Sequence, residues 1–580
     1  MRHLRQYSIF ALLLIAFAVF LLWPISRVVQ VAFFGTNEGG KPGAFTLAYI
    51  AAVFQDQEFR AGLFNSALIA VCVTLLCVLI SVPLALLSTR LNFWGKSLAN
   101  ALLLVPLILP PFVGAIGMRQ ILGRFGVLTS LAQHVGLVAP NSPVDWLGKA
   151  KLLGIVFIEA LSLYPILFLN VSAALANLDP AMEQAAANLG ASRWTIFRRI
   201  TLPLMRPGLF AGGTIVLIWS FTELGTPLMF DYYHVTSVQI FSRLNQVQGN
   251  ALPYALVVVM MVTSILLYIV GKLVLGRWLD AATTKASVQS SAKQLGFLQS
   301  LPVLAPFLLV SGLALLPHIC VILYSVSGVG AWYQSALPKV FTAQHYIHGL
   351  SHETALPSVI MSVKYASFSM VIDVALGLTI AWLLVRSTLR GRQILDSLAM
   401  LPMAVPGLVL AFGYIGISLQ LKGWMIHWPA TYNRLFNVQE NPTVLLIIAY
   451  AMRRLPYVVR SAVAGLEQTP VDLEWAAKNL GASGSRTLWK ITLPLIAANL
   501  VAGALLAFAF AMLEVSDSLI LVQPTRFWPI TKAIYELFQR LRDGPYIASA
   551  LGVWAMLLLT LTILSANSLL GKKMGAIFRV

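Results

Sequence analysis

Five ionisable residues stand in stretches that are otherwise apolar. Glu223 lies in WSFTELGTPLMF, Glu514 and Asp517 lie in AMLEVSDSLIL, and Arg453-Arg454 lie in LLIIAYAMRRLPYVV. Charge surrounded by hydrocarbon is costly and persists where a partner, water or a transported ion compensates it. Carboxylates in such places could steady a cation in transit, and the arginines could meet an anionic solute or neutralise a carboxylate. Glu223 and Glu514 are 291 residues apart, and Asp517 follows Glu514 by one helical turn. Gly225-Thr226-Pro227 predicts a break in the helix that bears Glu223, as in helices that line transport sites. Another group is His345, His348 and His352 in QHYIHGLSH, spaced by three and four on one helical face, with Glu353 adjacent. That spacing could ligate zinc, copper or nickel, whereas ferric iron prefers oxygen donors. The same spacing more commonly marks the polar face of a loop helix. No H-E-x-x-H or G-x-S-x-G motif accompanies these residues, so an intramembrane enzyme is not indicated.

The elements that must hold these groups are membrane helices. Of the 580 residues 58% are hydrophobic and only 11% charged, with mean hydropathy +0.82. A soluble domain carries about 25% charged residues. Apolar runs long enough to cross ~30 Å of hydrocarbon as helices recur along the chain. They predict an all-α polytopic protein with spans near 8–34, 66–89, 98–122, 152–176, 209–230 and 253–276, then 301–326, 362–385, 396–420, 443–464, 499–522 and 547–570. The first run follows a basic start and continues past the small residues Ala16-Phe17-Ala18, so it reads as an uncleaved spanning helix. The net charge of +19 belongs to loops rather than to a nucleic-acid surface, since no basic stripe alternates with exposed aromatics. Cys72, Cys77 and Cys320 sit inside apolar runs and read as small core residues.

The chain is written twice. EQAAANLGASRWTIFRRITLPLMRPG begins at Glu183, and EWAAKNLGASGSRTLWKITLPLIAAN begins 291 residues later at Glu474. Phe45-Thr46 and Phe341-Thr342 match at an offset of 296, as do Pro106-x3-Pro110 and Pro402-x3-Pro406, and Trp23-Pro24 answers Leu316-Pro317. The expected organisation is one repeat at 1–279, a polar linker at 280–300 and a second repeat at 301–580, with six spans in each. Lys and Arg concentrate in alternate loops, which places the termini, the linker and both repeated segments in the cytoplasm. An even number of spans per repeat makes the repeats parallel, related by an axis along the membrane normal. Such an axis would set Glu223 opposite Glu514.

Within the repeated segment, Asp179-Pro180 can start a helix, Gly190 suits a left-handed turn, and a second helix runs from Ser192 to about Ile200 before Pro203 and Pro207 punctuate entry into the next span. The pattern E-A-A-x3-G-x9-I-x-L-P resembles the signature loop of binding-protein-dependent ABC importer permeases. This sequence matches it with Ala185, Ala186, Gly190, Ile200, Leu202 and Pro203, and again with Ala476, Ala477, Gly481, Ile491, Leu493 and Pro494. It departs at the glutamate position, held by Gln184 and Trp475, while Glu183 and Glu474 stand one residue earlier.

The resemblance implies a fused, double-length permease of the type I importer fold. The loops near 180–207 and 470–498 would dock into two copies of a cytoplasmic ABC ATPase, and a periplasmic or lipoprotein receptor would deliver solute. ATP and magnesium would be held by the partners: the chain contains no G-x4-G-K-[ST] phosphate loop, so no cofactor of its own is expected. Among relatives of this length the resemblance points to the ferric-iron branch, with 2-aminoethylphosphonate, thiamine and polyamine carriers as alternatives. Glu223, Glu514, Asp517, Arg453 and Arg454 are then candidates for the translocation pathway in a bacterial inner membrane. The rival class is an ion-coupled secondary transporter, which would have no need of two docking loops.

Overall fold

The computed structural model describes residues 2–35, 43–139, 142–148, 150–275, 292–424, 429 and 434–570. Among them the chain is almost wholly helical, and the strands are two-residue pieces, Leu91–Asn92 and Lys293–Gln294, paired in parallel. Among the described residues nine helices are long and apolar enough to cross a membrane, and two sharply bent pairs bring the number to eleven. Thr443–Gln468 coincides with the remaining predicted span. It carries Arg453, Arg454 and Arg460, and therefore lacks a window as apolar as the others.

Proline and glycine account for the interruptions. Lys96–Leu107 and Pro111–His134 meet at 94°, and Arg392–Ala404 and Gly407–Trp424 meet at 101°. The residues entering these corners, Leu109 and Val405, are extended, as a following proline demands. The predicted spans 209–230 and 499–522 are each two helices: Leu202–Thr222 then Gly225–Met229, and Leu493–Met512 then Ser516–Leu521. Both breaks fall at the carboxylates, Glu223 and Glu514.

The described residues gather into two compact units, one within Ala61–Val238 and Val262–His345, the other within residues 2–60, Gln239–Met261 and 346–570. Each unit takes its opening helix from the opposite sequence repeat, so spatial units and the 1–279 and 301–580 repeats do not coincide. Within one unit, a Cβ on Gly117 would sit 1.8 Å from the carbonyl oxygen of Pro317. Within the other, a Cβ on Gly413 would sit 2.5 Å from the carbonyl oxygen of Pro24. These are the same repeat positions, and only glycine admits a backbone so close. The predicted linker lies mostly outside the described residues; its end, from Phe297, already belongs to the Phe297–Ser325 helix.

In the second of these units Ala355–Arg386, Thr443–Gln468 and Leu493–Met512 pack through Ala381, Val458, Ala462, Leu466, Ile496 and Ala507. Close packing of small residues along these helices fixes the azimuth of Thr443–Gln468, and with it the direction in which its arginines point.

Candidate functional site

Both repeated segments are short helix-turn-helix elements. Pro180–Asn188 starts on Asp179, whose carboxylate accepts the N–H of Ala181 at 2.9 Å, and Asp472–Asn479 is its counterpart. Gly190 and Gly481 turn the chain at φ +79° and +83°, a conformation costly for any residue with a Cβ. Ser192 and Ser483 cap the next helix by accepting from Thr195 and Arg486 at 3.2 and 3.3 Å. That helix does not stop before the prolines as expected. It widens into a π turn, Phe197–Thr201 or Leu488–Thr492, and runs on through Pro203 or Pro494 into the following span. Proline is tolerated at the second position of the restarted helix, where its missing N–H costs nothing.

The two faces of each segment differ. Outward stand Gln184, Ala185, Gly190 and Leu189 (89% exposed) in one, and Trp475, Ala476, Gly481 and Leu480 (88%) in the other. Trp194 and Trp489 are exposed beside them. Ala186 and Ala477 are half-buried, and the glutamates point inward. Glu183 receives hydrogen bonds from Arg90 and, at 2.5 Å, from Thr201. Glu474 receives one from Arg386 at 3.0 Å, and Arg386 also donates to the carbonyls of Leu466 and Thr469. Arg90 and Arg386 carry no weight in the sequence beyond their positive charge. Their shared offset of 296, that of the Pro-x3-Pro pair, is the signal that could have singled them out.

The pathway candidates of the second repeat form a buried ion cluster. Glu514 accepts from Arg453 at 2.5 Å and from Arg454, and Asp517 accepts from Arg453 at 3.2 Å. Both acids are buried, and Glu514 also offers its carbonyl to Thr531 and Ser518. Such pairs hold together because removing either partner strands a desolvated charge. Asp373, on the Ala355–Arg386 helix, is fully buried and neither carboxyl oxygen has a hydrogen-bond partner among the described residues.

The first repeat is built differently at the same positions. Glu223 caps its own helix break: Oε1 accepts the N–H groups of Gly225 and Thr226 at 3.1 and 3.3 Å, and Ser237 donates to its carbonyl at 2.6 Å. Glu159, one helix away, is buried and accepts from Ser220 at 2.5 Å. Ser162 and Leu163 stand where the other repeat has its arginines. Arg119 is engaged elsewhere, donating to Met229 and Asp231.

The histidines do not form the metal face that their spacing allowed. His345 is buried and donates from Nε2 to the carbonyl of Ser327 at 2.8 Å. His348 lies in the Gln344–Ser351 helix, but His352 falls beyond its end, where Nδ1 accepts from Thr354. His348 and His352 do line a cavity of about 400 Å3, together with Glu353, Asp543 and the cationic Arg540. No group of three His, Cys, Asp or Glu side chains suited to a metal occurs among the described residues. The helix ends too early to carry the period through to His352.

Comparison with known proteins fits this architecture. The family model for the binding-protein-dependent transport system inner membrane component matches the chain twice, at residues 78–283 and 373–574. The ferric transport system permease protein FbpB of Actinobacillus pleuropneumoniae is 28% identical over 533 residues, which cover 90% of this chain and 72% of that protein. The putative ferric transport system permease protein FbpB 1 of Haemophilus influenzae is 28% identical over 485 residues, covering 82% and 71%. The molybdenum transport system permease protein ModB of Escherichia coli is 32% identical over 185 residues, covering 31% of this chain and 74% of its own. A shorter relative thus matches roughly one repeat, whereas the FbpB proteins match both.

Proposed function

The chain belongs to the family of binding-protein-dependent transport system inner membrane components, as a fused permease with two copies of the domain, and from that premise we propose how its parts divide the work. The repeated segments are cytoplasmic handles, each docking into one of two ATP-hydrolysing subunits. ATP binding closes the motors, the handles move, and the spanning helices alternate between outward-open and inward-open forms around a solute released by an extracytoplasmic receptor. The observation that supports this best is the duplicated outward face: Leu189 and Leu480 stand almost wholly exposed at the tips of capped turns. With the exposed Trp194 and Trp489 they give each segment an apolar surface rimmed by polar residues, as docking surfaces have.

The solute is ferric iron, in keeping with the FbpB relatives. A hard trivalent cation calls for oxygen donors, and the spans supply carboxylates and hydroxyls rather than clustered histidines. The two repeats contribute unequally to the pathway. Glu223, at a helix break, is the residue positioned to meet the cation; Glu514, Asp517, Arg453 and Arg454 form a self-neutralised wall that holds its shape while the solute passes. Reconstitution with the motor subunits and receptor tests the reading. Vanadate should abolish uptake of ferric ion into proteoliposomes, while collapse of ion gradients should not. Gradient-dependent, vanadate-resistant uptake would favour the secondary-transporter class instead.

A further inference from the structure

Each repeated segment sends one acidic side chain away from its docking face. Glu183 bonds to Arg90, and Glu474 bonds to Arg386. Neither arginine belongs to the segment: each is the last residue of a long spanning helix, Gln57–Arg90 or Ala355–Arg386. The contact is therefore built twice, in two separate units, from parts of the chain 93 and 88 residues apart.

The surroundings of the two pairs differ while the connection stays the same. The side chains of Arg90 and Glu183 are 43% and 24% exposed, those of Arg386 and Glu474 only 11% and 6%. In the first, the hydroxyl of Thr201 joins the pair and ties in the π turn that leads into the next span. In the second, Arg386 also takes the carbonyls of Leu466 and Thr469, at the C-terminal end of Thr443–Gln468, where helix carbonyls lack internal partners. A bond present at both a half-exposed and a buried location is not there merely to neutralise a buried charge. What the two share is the join between handle and span.

The glycine turn itself is open: a Cβ at Gly190 or Gly481 would meet nothing within 4 Å among the described residues. A charge-assisted guanidinium–carboxylate bond is short and directional, and resists reorientation of the helix that carries it. We propose that Arg90 and Arg386 are positioning residues for coupling. They fasten each handle to the end of a spanning helix, so that a displacement imposed on the handle reaches that span instead of being absorbed at the glycine turn. Glu183 and Glu474 act inside the chain rather than on the motor, whose contacts fall to the outward residues, Gln184 and Trp475 among them. The inference rests on the docking reading above.

The test uses the full chain reconstituted with its motor subunits and receptor, with ferric ion as probe. It reads ferric ion taken up per ATP hydrolysed, co-purification of the motor, and melting temperature. Glu183→Gln and Arg90→Gln should leave the motor bound and lower uptake per ATP about tenfold. The exchange Arg90→Glu with Glu183→Arg should restore coupling to within about twofold, because Thr201 can still donate to the relocated carboxylate. The matching exchange at Arg386 and Glu474 should fail, since a carboxylate at 386 would face two carbonyls. The half-exposed first pair keeps the test informative even where variants of the buried pair do not fold. Wild-type coupling in both single variants would overturn the proposal. So would loss of motor binding in Glu183→Gln without rescue by the exchange, which would make the glutamate a motor contact. A wild-type complex that never retains the motor would instead sink the docking reading.

Discussion

Gly407 and Arg453 are fitted to one another: a Cβ on Gly407 would lie 2.2 Å from Nη1 of Arg453. The guanidinium rests against the corner between Arg392–Ala404 and Gly407–Trp424, and from there it reaches Glu514 and Asp517. In the other repeat the corresponding residues are Pro111 and Ser162, so where the arginine is missing the glycine is missing too. Arginine, glycine and the second acid form one device, present in only one half.

Gly407→Ala should consequently act at a distance. The methyl group displaces a guanidinium already held by two carboxylates, and the loss should approach the about 3–5 kcal/mol of a broken buried ion pair. Heat stability of the purified protein in detergent measures it. An unchanged melting temperature would show that Arg453 can move aside without losing its partners.

Gly190→Val and Gly481→Val should do the opposite, sparing assembly and damaging coupling. Space is not the obstacle at either position; the positive φ is, at about 1–2 kcal/mol for a residue with a Cβ. Membrane insertion and melting temperature should stay near wild type, while receptor-stimulated ATP hydrolysis and uptake fall together. Full activity in both variants would count against a handle role for the turns.

Much of this architecture was legible in the chain because repeats and apolar runs are local signals. The run from Leu252 to Leu275 falls within a residue of its expected bounds, and the offset of 291 led directly from Glu223 to Glu514. What escaped depends on pairing across long separations. Arg90 looks like one more basic loop residue until Glu183 is seen beside it. Gly117 and Gly413 reveal themselves only when Pro317 and Pro24 are laid against them, and so the exchange of opening helices between repeats was invisible. Periodicity has a limit as well: His345, His348 and His352 share a helical period, but a period does not say where the helix stops.

Lys532 supplies a test by pH. It lies in the Ile530–Phe538 helix, between spanning helices, 3% exposed, with Nζ donating to the carbonyl of Leu519. Burial pushes its ammonium down to about 8, against the pull of Glu536. The charged form is thus disfavoured in the folded chain relative to the unfolded one. Between about pH 8 and the ordinary lysine range the unfolded state binds more protons, so stability rises with pH through that window. Below pH 8 the cost of burying the charge is present in full. Lys532→Met should remove this slope and raise the melting temperature most near neutral pH. A parallel rise with pH in both proteins would assign the effect to other groups.

The paired glutamates offer the sharpest contrast, because one repeat position has two different environments. Glu514 answers two guanidiniums, and Asp517 alone could not replace it for both. Glu514→Gln should strand positive charge in the packed interior, costing about 3–5 kcal/mol, and yield a heat-labile, poorly expressed protein. Glu223 accepts two backbone N–H groups at its helix break, and the carbonyl of a glutamine can accept the same bonds. Glu223→Gln should therefore keep this cap and fold with nearly normal stability. If Glu223 meets the cation in transit, its loss of charge should still lower ferric uptake at an unchanged melting temperature. Melting temperature in detergent, set beside uptake in proteoliposomes with the motor subunits, separates the two effects. A stable Glu223→Gln protein with undiminished uptake would remove that residue from the pathway, and a stable Glu514→Gln protein would mean that the arginines find compensation elsewhere.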